Sequence, residues 1–382
     1  MSQHHLATRL IHAGVTPDPT TGAIMTPIYQ TSTYVQDGPG DHKGYEYART
    51  QNPTRAALQA ALASIEGGTH GLSFASGMAA TDAVVKLLAP GDEVIVSNDL
   101  YGGTYRVFTK IFAAYGIRFH FIPMGDAEEI RKYITQATKM LWVETPTNPL
   151  LNVVDIEACA GIAKAHDLML VVDNTFASPW LQNPLAWGAT MVLHSATKYL
   201  GGHSDVVHGC VITSDDAIAE RLAFIQNSCG GVPGPQDCFL VLRGLKTLHV
   251  RMQRHCENGE AIARFLRSNP KVDRVLWCGF EDHPNHAIAA RQMRGFGGMI
   301  SFTLKDDRIE AANEVLMKTE LFALAESLGG VESLIGHPAT MTHASIPRED
   351  RVRNGLSDSL IRLSVGIEDV DDLIRDLEGA IG

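Results

Sequence analysis

The chain has 382 residues, 45% of them hydrophobic, and a formal net charge of −11. This composition is typical of a globular protein, and the length of about 2.5 usual domains predicts two domains or one large domain with a satellite. The acidic balance argues against nucleic acid or an anionic membrane as the main partner, because phosphates need clustered Lys and Arg.

The sequence has no apolar run of the roughly 18 residues needed to span a bilayer and no secretory signal pattern at its start, so a cytoplasmic protein is expected. Six scattered cysteines without metal-binding spacing predict no metal site. The first 50 residues are rich in Thr, Pro, Gly and Tyr without apolar periodicity, which predicts an extended arm over residues 1–50.

A helix is predicted from Thr54 to the Gly67-Gly68 pair, where a run of helix formers meets the usual glycine stop signal. Largely apolar runs of strand length then alternate with helical segments, at residues 92–97, 139–144, 167–173 and 189–195. Continuous apolar strands separated by helices favour a mainly parallel sheet flanked by helices. We therefore expect an α/β domain over residues 51–245.

The pattern changes beyond residue 246. A helical segment at 252–268, strand runs at 298–304 and 359–366, and an amphipathic closing segment at 369–382 follow in order. These elements predict a smaller α+β domain over residues 246–382.

Polar residues follow the apolar strands of the predicted sheet. They are Tyr101 and Arg106, Asn148, Asp173, and Lys198. Ligands of open α/β sheets bind beyond the carboxyl ends of the strands, so these side chains are expected at one site.

Two of these residues are interpretable by themselves. A carboxylate that closes a buried strand is costly to desolvate, so Asp173 is either a turn or helix-cap residue or the partner of a protonated ring nitrogen. Lys198 follows the hydroxyl residues Ser195 and Thr197 in the segment S-A-T-K. A lone lysine is usually solvated, but a lysine in this setting is a candidate Schiff-base nucleophile with phosphate-binding neighbours.

The segment FASGMAATDAVVKLLA adds a third element. Gly77 allows close approach of a ligand, and a helix beginning near Met78 presents free N–H groups. By itself this could be a simple helix start. Together with Asp173 and Lys198 it completes a phosphate cradle, an aldehyde-capturing amine and an anion for a pyridine nitrogen, the parts that pyridoxal phosphate (PLP) requires.

Specific motifs run in order over nearly the whole chain: YEYARTQNPTR, ASGMAA, DLYGGTYR, ETPTNPL, VVDNTFASP, HSATKYLGGHSD, RGLKTL, FALAESLGGVESL, ATMTHAS and LIRLSVGIED. In these motifs the sequence resembles the Cys/Met-metabolism family of PLP-dependent enzymes, which act on cystathionine and related sulfur amino acids. The resemblance implies the type I, aminotransferase-like fold of PLP-dependent enzymes.

The resemblance also implies roles for the residues at the strand ends. Lys198 is expected to hold the cofactor aldehyde and to move protons, and Asp173 to pair with the pyridinium nitrogen. Tyr101 is expected to stack on the ring and to act on the incoming amine or the leaving thiolate. The implied phosphate-binding residues are Ser195, Thr197, Gly77 and Met78.

The arm gains a role only through the resemblance, since its residues alone suggest a solvated loop. Tyr47 and Arg49 are expected to reach the PLP phosphate of a neighbouring subunit in a homotetramer built from two dimers.

Arg362, which by itself suits the polar face of a half-exposed strand, is expected to bind the substrate carboxylate through two nitrogens of its guanidinium group. The residues expected to assist at the substrate are Ser327, Asn148 and Arg106.

Two positions bear on the reaction within the family. Gly103 stands where methionine γ-lyases have Cys, which argues against that activity. Glu326 stands where cystathionine γ-lyases and γ-synthases have Glu, and with Glu46 it would attract the distal ammonium of cystathionine. We predict cystathionine γ-lyase activity, giving cysteine, 2-oxobutanoate and ammonia. Cystathionine γ-synthase, which joins an O-acylhomoserine to cysteine, and then cystathionine β-lyase are the open alternatives.

Overall fold

The computed structural model describes residues 4–343 and 348–382, so the end of the ATMTHAS motif at Ala344 and Ser345 and the first three residues of the arm lie outside the described residues. The α-helices are α1 Leu6–His12, α2 Pro53–Glu66, α3 Gly77–Val85, α4 Gly102–Lys110, α5 Glu128–Arg131, α6 Ile156–Ala165, α7 Ser178–Leu181, α8 Asp216–Cys229, α9 Pro235–Leu245, α10 Leu248–Ser268, α11 His286–Gln292, α12 Ile309–Leu316, α13 Arg348–Arg353 and α14 Val370–Ile381. The strands are β1 His70–Phe74, β2 Glu93–Ser97, β3 Arg118–Ile122, β4 Thr138–Glu144, β5 Met169–Asp173, β6 Met191–Ser195, β7 Gly209–Thr213, β8 Val272–Leu276, β9 Met299–Leu304, β10 Ala323–Leu324, β11 Leu334–Gly336 and β12 Ile361–Ser364.

The larger sheet has the strand order β1-β7-β6-β5-β4-β2-β3. Its five strands from β6 to β3 are parallel, whereas β7 is antiparallel to both of its neighbours. The four predicted strand runs correspond to β2, β4, β5 and β6, and apolar clusters pack on both faces of the sheet. The expected mainly parallel α/β sheet is therefore confirmed.

Helix α2 has the predicted start and stop. The Asn52 side chain accepts the N–H groups of Thr54 and Arg55, and Pro53 occupies the first turn, where its missing N–H costs nothing. The helix ends at Gly67, which has φ of 79°. Such a left-handed residue is the conformation that favours glycine after a helix.

The smaller sheet has the strand order β10-β11-β12-β9-β8 and is mainly antiparallel. Its core cluster includes Phe302 on β9 and Leu377 on α14. Helix α10 contributes to both cores, because Leu248 and Met252 pack in the core beside the larger sheet and Leu266 packs in the core of the smaller one. The second, smaller α+β unit is thus confirmed, and the two sheets share a helix.

The arm differs from the expected extended chain in one place. Residues Leu6–His12 form a helix, and Leu10 belongs to the same apolar cluster as Leu58 and Leu62 of α2. Seven residues with a single buried side chain are too short to give a detectable apolar period. Beyond this helix the arm is irregular and exposes large apolar side chains, with Ile24 81% and Val35 91% exposed. None of the helices in the described residues combines the length and the apolar character needed to cross a bilayer.

We expect Gly14→Ala to destabilise the protein more than Gly22→Ala. Both glycines have positive φ, 72° and 73°, so both substitutions carry the same backbone strain. A Cβ at Gly14 would lie 2.1 Å from the carbonyl oxygen of Ala57 on α2, whereas nothing lies within 4 Å of a Cβ at Gly22. The additional loss should be about 1–3 kcal/mol in urea unfolding, and equal losses would contradict the close packing of α1 on α2.

Candidate active site

A cavity of about 310 Å³ lies at the carboxyl ends of β2, β4, β5 and β6. It is the position where ligands bind in open α/β sheets. Eleven of the predicted site residues line it: Gly77, Met78, Tyr101, Asn148, Asp173, Ser195, Thr197, Lys198, Glu326, Ser327 and Arg362. The strand-end residues that are distant in sequence therefore do meet.

The Lys198 side chain lines the cavity. Its Nζ donates a hydrogen bond to the Ser327 hydroxyl over 2.7 Å. Burial, reinforced by the positive charge of Arg362, lowers the pKa of Lys198 to about 8. A larger fraction of this amine is neutral at physiological pH than for a surface lysine, which suits attack on an aldehyde.

The Asp173 carboxylate lies at the end of β5. Its Oδ1 accepts hydrogen bonds from the backbone N–H and the hydroxyl of Thr175, at 3.0 and 2.6 Å. Burial raises the pKa of Asp173 above its usual value, and the two Thr175 hydrogen bonds oppose that rise. Because its donors are neutral, a cation in the cavity would stabilise the ionised form.

An anion cradle forms where α3 begins beside the end of β6. The Ser76 side chain caps α3 by accepting the N–H of Ala79 over 3.0 Å. A Cβ on Gly77 would lie 2.9 Å from the Cβ of Ser195, so glycine permits this close approach. The Thr197 hydroxyl also lines this part of the cavity. Hydroxyl groups and the N–H groups of a first helical turn together form a site for a phosphate.

Arg362 enters the cavity from β12 of the smaller sheet. Its Nη1 donates to Oδ1 of Asn148 over 2.8 Å, and its Nη2 donates to the carbonyl oxygen of Ser327 over 2.9 Å. Burial lowers its pKa to about 10, so it remains protonated at neutral pH. Ser327 itself has φ of 104°, a strained conformation for a residue other than glycine. The arrangement holds a fixed guanidinium that can bind a carboxylate.

Four predicted site residues do not line the cavity in this chain: Glu46, Tyr47, Arg49 and Arg106. Glu46 is exposed on the arm, so its expected contribution beside Glu326 gains no support. Arg106 is exposed on α4 and does not line the cavity, which gives its expected substrate contact no support. Tyr47 is 44% exposed, and the guanidinium carbon of Arg49 lies 5.4 Å from the centroid of its ring. Arg49 also donates to Oδ1 of Asn227 over 3.1 Å. The contact of Tyr47 and Arg49 with a neighbouring subunit stays a prediction.

Further residues line the cavity without having been assigned a role from the sequence, and Ser76, Glu144 and Thr175 are among them. Glu144 ends β4 and pairs in register with Asp173 at the end of β5. The available signal was its place at the last position of the apolar run KMLWVE, which matches that of Asp173 in its own run. Thr175 stands at the end of a predicted strand, and the structure adds its contacts: its hydroxyl donates to Asp173 and accepts the N–H of Ser195.

The sequence matches the family model of the Cys/Met metabolism PLP-dependent enzymes over residues 7–382. The chain belongs to this family. A cystathionine β-lyase from Coxiella burnetii is 54% identical to it, with 99% of this chain and 98% of the relative covered. A cystathionine γ-synthase from Mycobacterium tuberculosis is 53% identical, with 98% and 96% covered. The solved structure of a cystathionine γ-lyase from Lactobacillus plantarum in complex with L-serine matches with a TM-score of 0.96 and 47% identity, covering 99% of this chain and 98% of the other.

The cofactor is therefore PLP, the fold is the type I fold of PLP-dependent enzymes, and the substrate is a small amino acid. The cavity fits this cofactor. It offers a partly neutral lysine for the aldehyde, a buried carboxylate with neutral donors for the ring nitrogen, and a glycine-lined helix start for the phosphate.

The lowered pKa of Lys198 predicts how cofactor uptake depends on pH. Only the neutral amine attacks an aldehyde, so PLP uptake by the cofactor-free protein should accelerate about tenfold per pH unit below the pKa of about 8 and level off above it. Stopped-flow absorbance between about pH 6 and 10 measures this profile.

Two variants control this measurement. Arg362→Met removes a positive charge that lowers the pKa of Lys198, so the midpoint should move to higher pH. An unchanged midpoint would contradict the electrostatic coupling.

Lys198→Ala should assemble normally but fix no cofactor on borohydride reduction and have no turnover. Full activity in this variant would refute the role of the lysine.

Proposed function

We propose that the protein is a cystathionine γ-lyase, which cleaves the bond between Cγ and sulfur of cystathionine. The observation that carries this proposal is the position of Glu326. Its side chain lines the cavity, and its negative charge acts on both Lys198 and Arg362. A substrate with its carboxylate on Arg362 would extend past Glu326, and a distal ammonium there would be attracted. Cystathionine has such a group and methionine does not.

The side chains of the cavity can carry the reaction. PLP, when bound, withdraws electron density from the substrate and makes the protons at Cα and Cβ acidic. Arg362 binds the α-carboxylate and fixes Cα relative to Lys198. The neutral Nζ of Lys198 removes the Cα proton, releases it so that the amine is neutral again, and then removes a Cβ proton. The Tyr101 hydroxyl protonates the departing sulfur, which leaves as cysteine, and uptake of one water yields 2-oxobutanoate and ammonia.

Ser327 has a supporting role in this proposal. Its hydroxyl accepts the hydrogen bond from Lys198, and its carbonyl oxygen accepts one from Arg362. One residue therefore sets the distance between the proton-transferring amine and the carboxylate-binding guanidinium. Its positive φ indicates that the surrounding contacts hold it in a strained conformation for this purpose.

Cystathionine γ-synthase is the second candidate. It is favoured by the relative from Mycobacterium tuberculosis, which carries that name at 53% identity. The same Glu326 carboxylate would attract the ammonium of an incoming cysteine, so this residue supports both activities. A cystathionine β-lyase is the third candidate, since the relative from Coxiella burnetii is named as one.

The proposal includes assembly as a cytoplasmic homotetramer built from two dimers. The exposed apolar side chains Ile24 and Val35 on the arm suit burial against another copy of the chain. In such an assembly Tyr47 and Arg49 would complete the phosphate site of a neighbouring subunit. Arg49 is already oriented by Asn227, which lowers the entropy that it would lose on binding an anion.

The keto acid formed from cystathionine alone distinguishes the three activities. We expect 2-oxobutanoate, because cleavage at Cγ leaves the four-carbon skeleton. Pyruvate as the main product would establish a β-lyase and refute the proposal. Slow formation of either acid, together with rapid synthesis of cystathionine from O-succinylhomoserine and cysteine, would establish the synthase. Chromatographic identification of the products suffices.

We expect Glu326→Ala and Glu326→Gln to weaken the preference for cystathionine over methionine by roughly 10-fold, as loss of one charge contact implies. The ratio of kcat/KM for the two substrates measures this preference. Glu332→Gln is the matched control, because Glu332 lies outside the cavity and accepts a hydrogen bond from Ser204 at the surface. An unchanged ratio in both Glu326 variants would show that this residue does not select the substrate.

A further inference from the structure

The Glu144 carboxylate joins two segments of the cavity wall. It lies at the end of β4 and is only 4% exposed. Its Oε2 accepts the backbone N–H of Tyr101 over 3.0 Å, and its Oε1 accepts the backbone N–H of Asn148, also over 3.0 Å. Each oxygen therefore holds a different segment, one after β2 and the other after β4.

His343 forms a second bridge between the same segments. Its Nε2 lies 3.3 Å from the carbonyl oxygen of Leu100 and 3.2 Å from that of Asn148. Burial lowers the pKa of His343 to about 4, so the ring is neutral at physiological pH. Its Nδ1 faces the hydroxyl of Thr342 over 2.8 Å, which leaves Nε2–H as the donor to the two carbonyl groups. The Glu144 carboxylate thus accepts backbone N–H groups from both segments, and the His343 imidazole donates to backbone carbonyl groups of both.

The two segments carry different parts of the site. Tyr101 directly precedes α4 and lines the cavity, whereas the side chain of Asn148 accepts a hydrogen bond from Arg362. A shift of one segment relative to the other would change the position of the tyrosine relative to the arginine. Misplacement of reacting groups by about 1 Å can cost roughly 100-fold in rate.

Electrostatics gives no other reason to place a carboxylate here. Glu144 pairs in register with Asp173, and burial together with the charge of Asp173 raises the pKa of Glu144 well above its usual value. A neutral amide would avoid this repulsion. It would, however, offer one acceptor instead of two, and its NH₂ group would face a backbone N–H.

We infer that Glu144 is a positioning residue, which holds Tyr101 and the Asn148–Arg362 pair in one geometry by accepting a backbone N–H with each carboxylate oxygen. This inference rests on the proposed roles of Tyr101 and Arg362 in the reaction. It does not depend on which of the cystathionine reactions the protein catalyses.

The test compares Glu144→Gln with Glu93→Gln in the PLP-loaded enzyme. Glu93 is a matched control, because it is 7% exposed and lies at the amino end of β2, at the opposite edge of the same sheet. It accepts hydrogen bonds from Arg118 over 2.8 Å and Thr135 over 2.7 Å. The measurements are kcat and KM with the substrate that the enzyme uses best, and visible circular dichroism per bound PLP, which reports the orientation of the cofactor ring.

We expect Glu144→Gln to lower kcat/KM by roughly 10- to 100-fold, through both kcat and KM, and to reduce the circular-dichroism signal. Glu93→Gln should keep kcat/KM and the circular-dichroism signal within about twofold of wild type, even if its thermal stability falls as far as that of Glu144→Gln. An unaltered dichroism band and unaltered kinetics in Glu144→Gln would overturn the inference. If the enzyme proves to catalyse a different cystathionine reaction, the inference still stands, because each variant is compared with the wild type on the same substrate.

The variant Glu144→Asp distinguishes the effect of side-chain length from the effect of the negative charge. It keeps the carboxylate but is one methylene shorter, so it cannot hold both segments, and we expect the same defects as in Glu144→Gln. Recovery of wild-type kinetics and dichroism in Glu144→Asp would make charge the important property and overturn the inference. Where neither variant folds, hydrogen exchange of the wild-type holoenzyme decides the question. The segments around Tyr101 and Asn148 should then open together as denaturant is added, and separate opening would refute the bridge.

Discussion

The hydrogen bonds of Arg362 hold the cavity together, because they join the smaller sheet to the larger one at the place where the reactive groups meet. The guanidinium lies on β12, yet one of its partners is Asn148, which follows β4 of the larger sheet. Its second partner is the carbonyl oxygen of Ser327, whose hydroxyl receives the Lys198 amine. The position of the lysine therefore depends on a residue more than 150 positions away in the chain.

The electrostatic balance of the cavity follows from the same contact. Arg362 lowers the pKa of Lys198 and Glu326 raises it, while burial of the amine has a larger effect than either. The lysine thus combines access to its neutral form with a nearby positive charge for the substrate carboxylate. The parallel strands β4 and β5 end in Glu144 and Asp173, two carboxyl groups in register that both line the cavity and would attract a cationic ring.

Much of this arrangement could be predicted from the sequence, since buried parallel strands are continuous apolar runs and their carboxyl ends converge. Asp173 and Lys198 were recognisable in this way and Gly77 as part of a helix start, and the resemblance added Arg362 and Ser327. Helix α1 was not predictable, because one buried leucine in seven residues gives no period. The structural role of Glu144 was hidden because its partners are backbone N–H groups, which leave no trace in the pattern of side chains. Arg106 was expected at the site because it follows a predicted strand, but it lies on α4 and is exposed to solvent.

Helix α10 limits how the two parts of the protein can move. At 1.5 Å per residue its 21 residues form a rod of about 31 Å, one end of which is embedded in each hydrophobic core. A hinge motion of the smaller sheet against the larger one would have to bend this rod or expose apolar side chains at one of its ends. Substrate entry is therefore better served by local rearrangement of the segments at the cavity mouth than by opening and closing of whole domains. The two sheets would then keep their relative position during turnover, and only the segments at the cavity mouth would move.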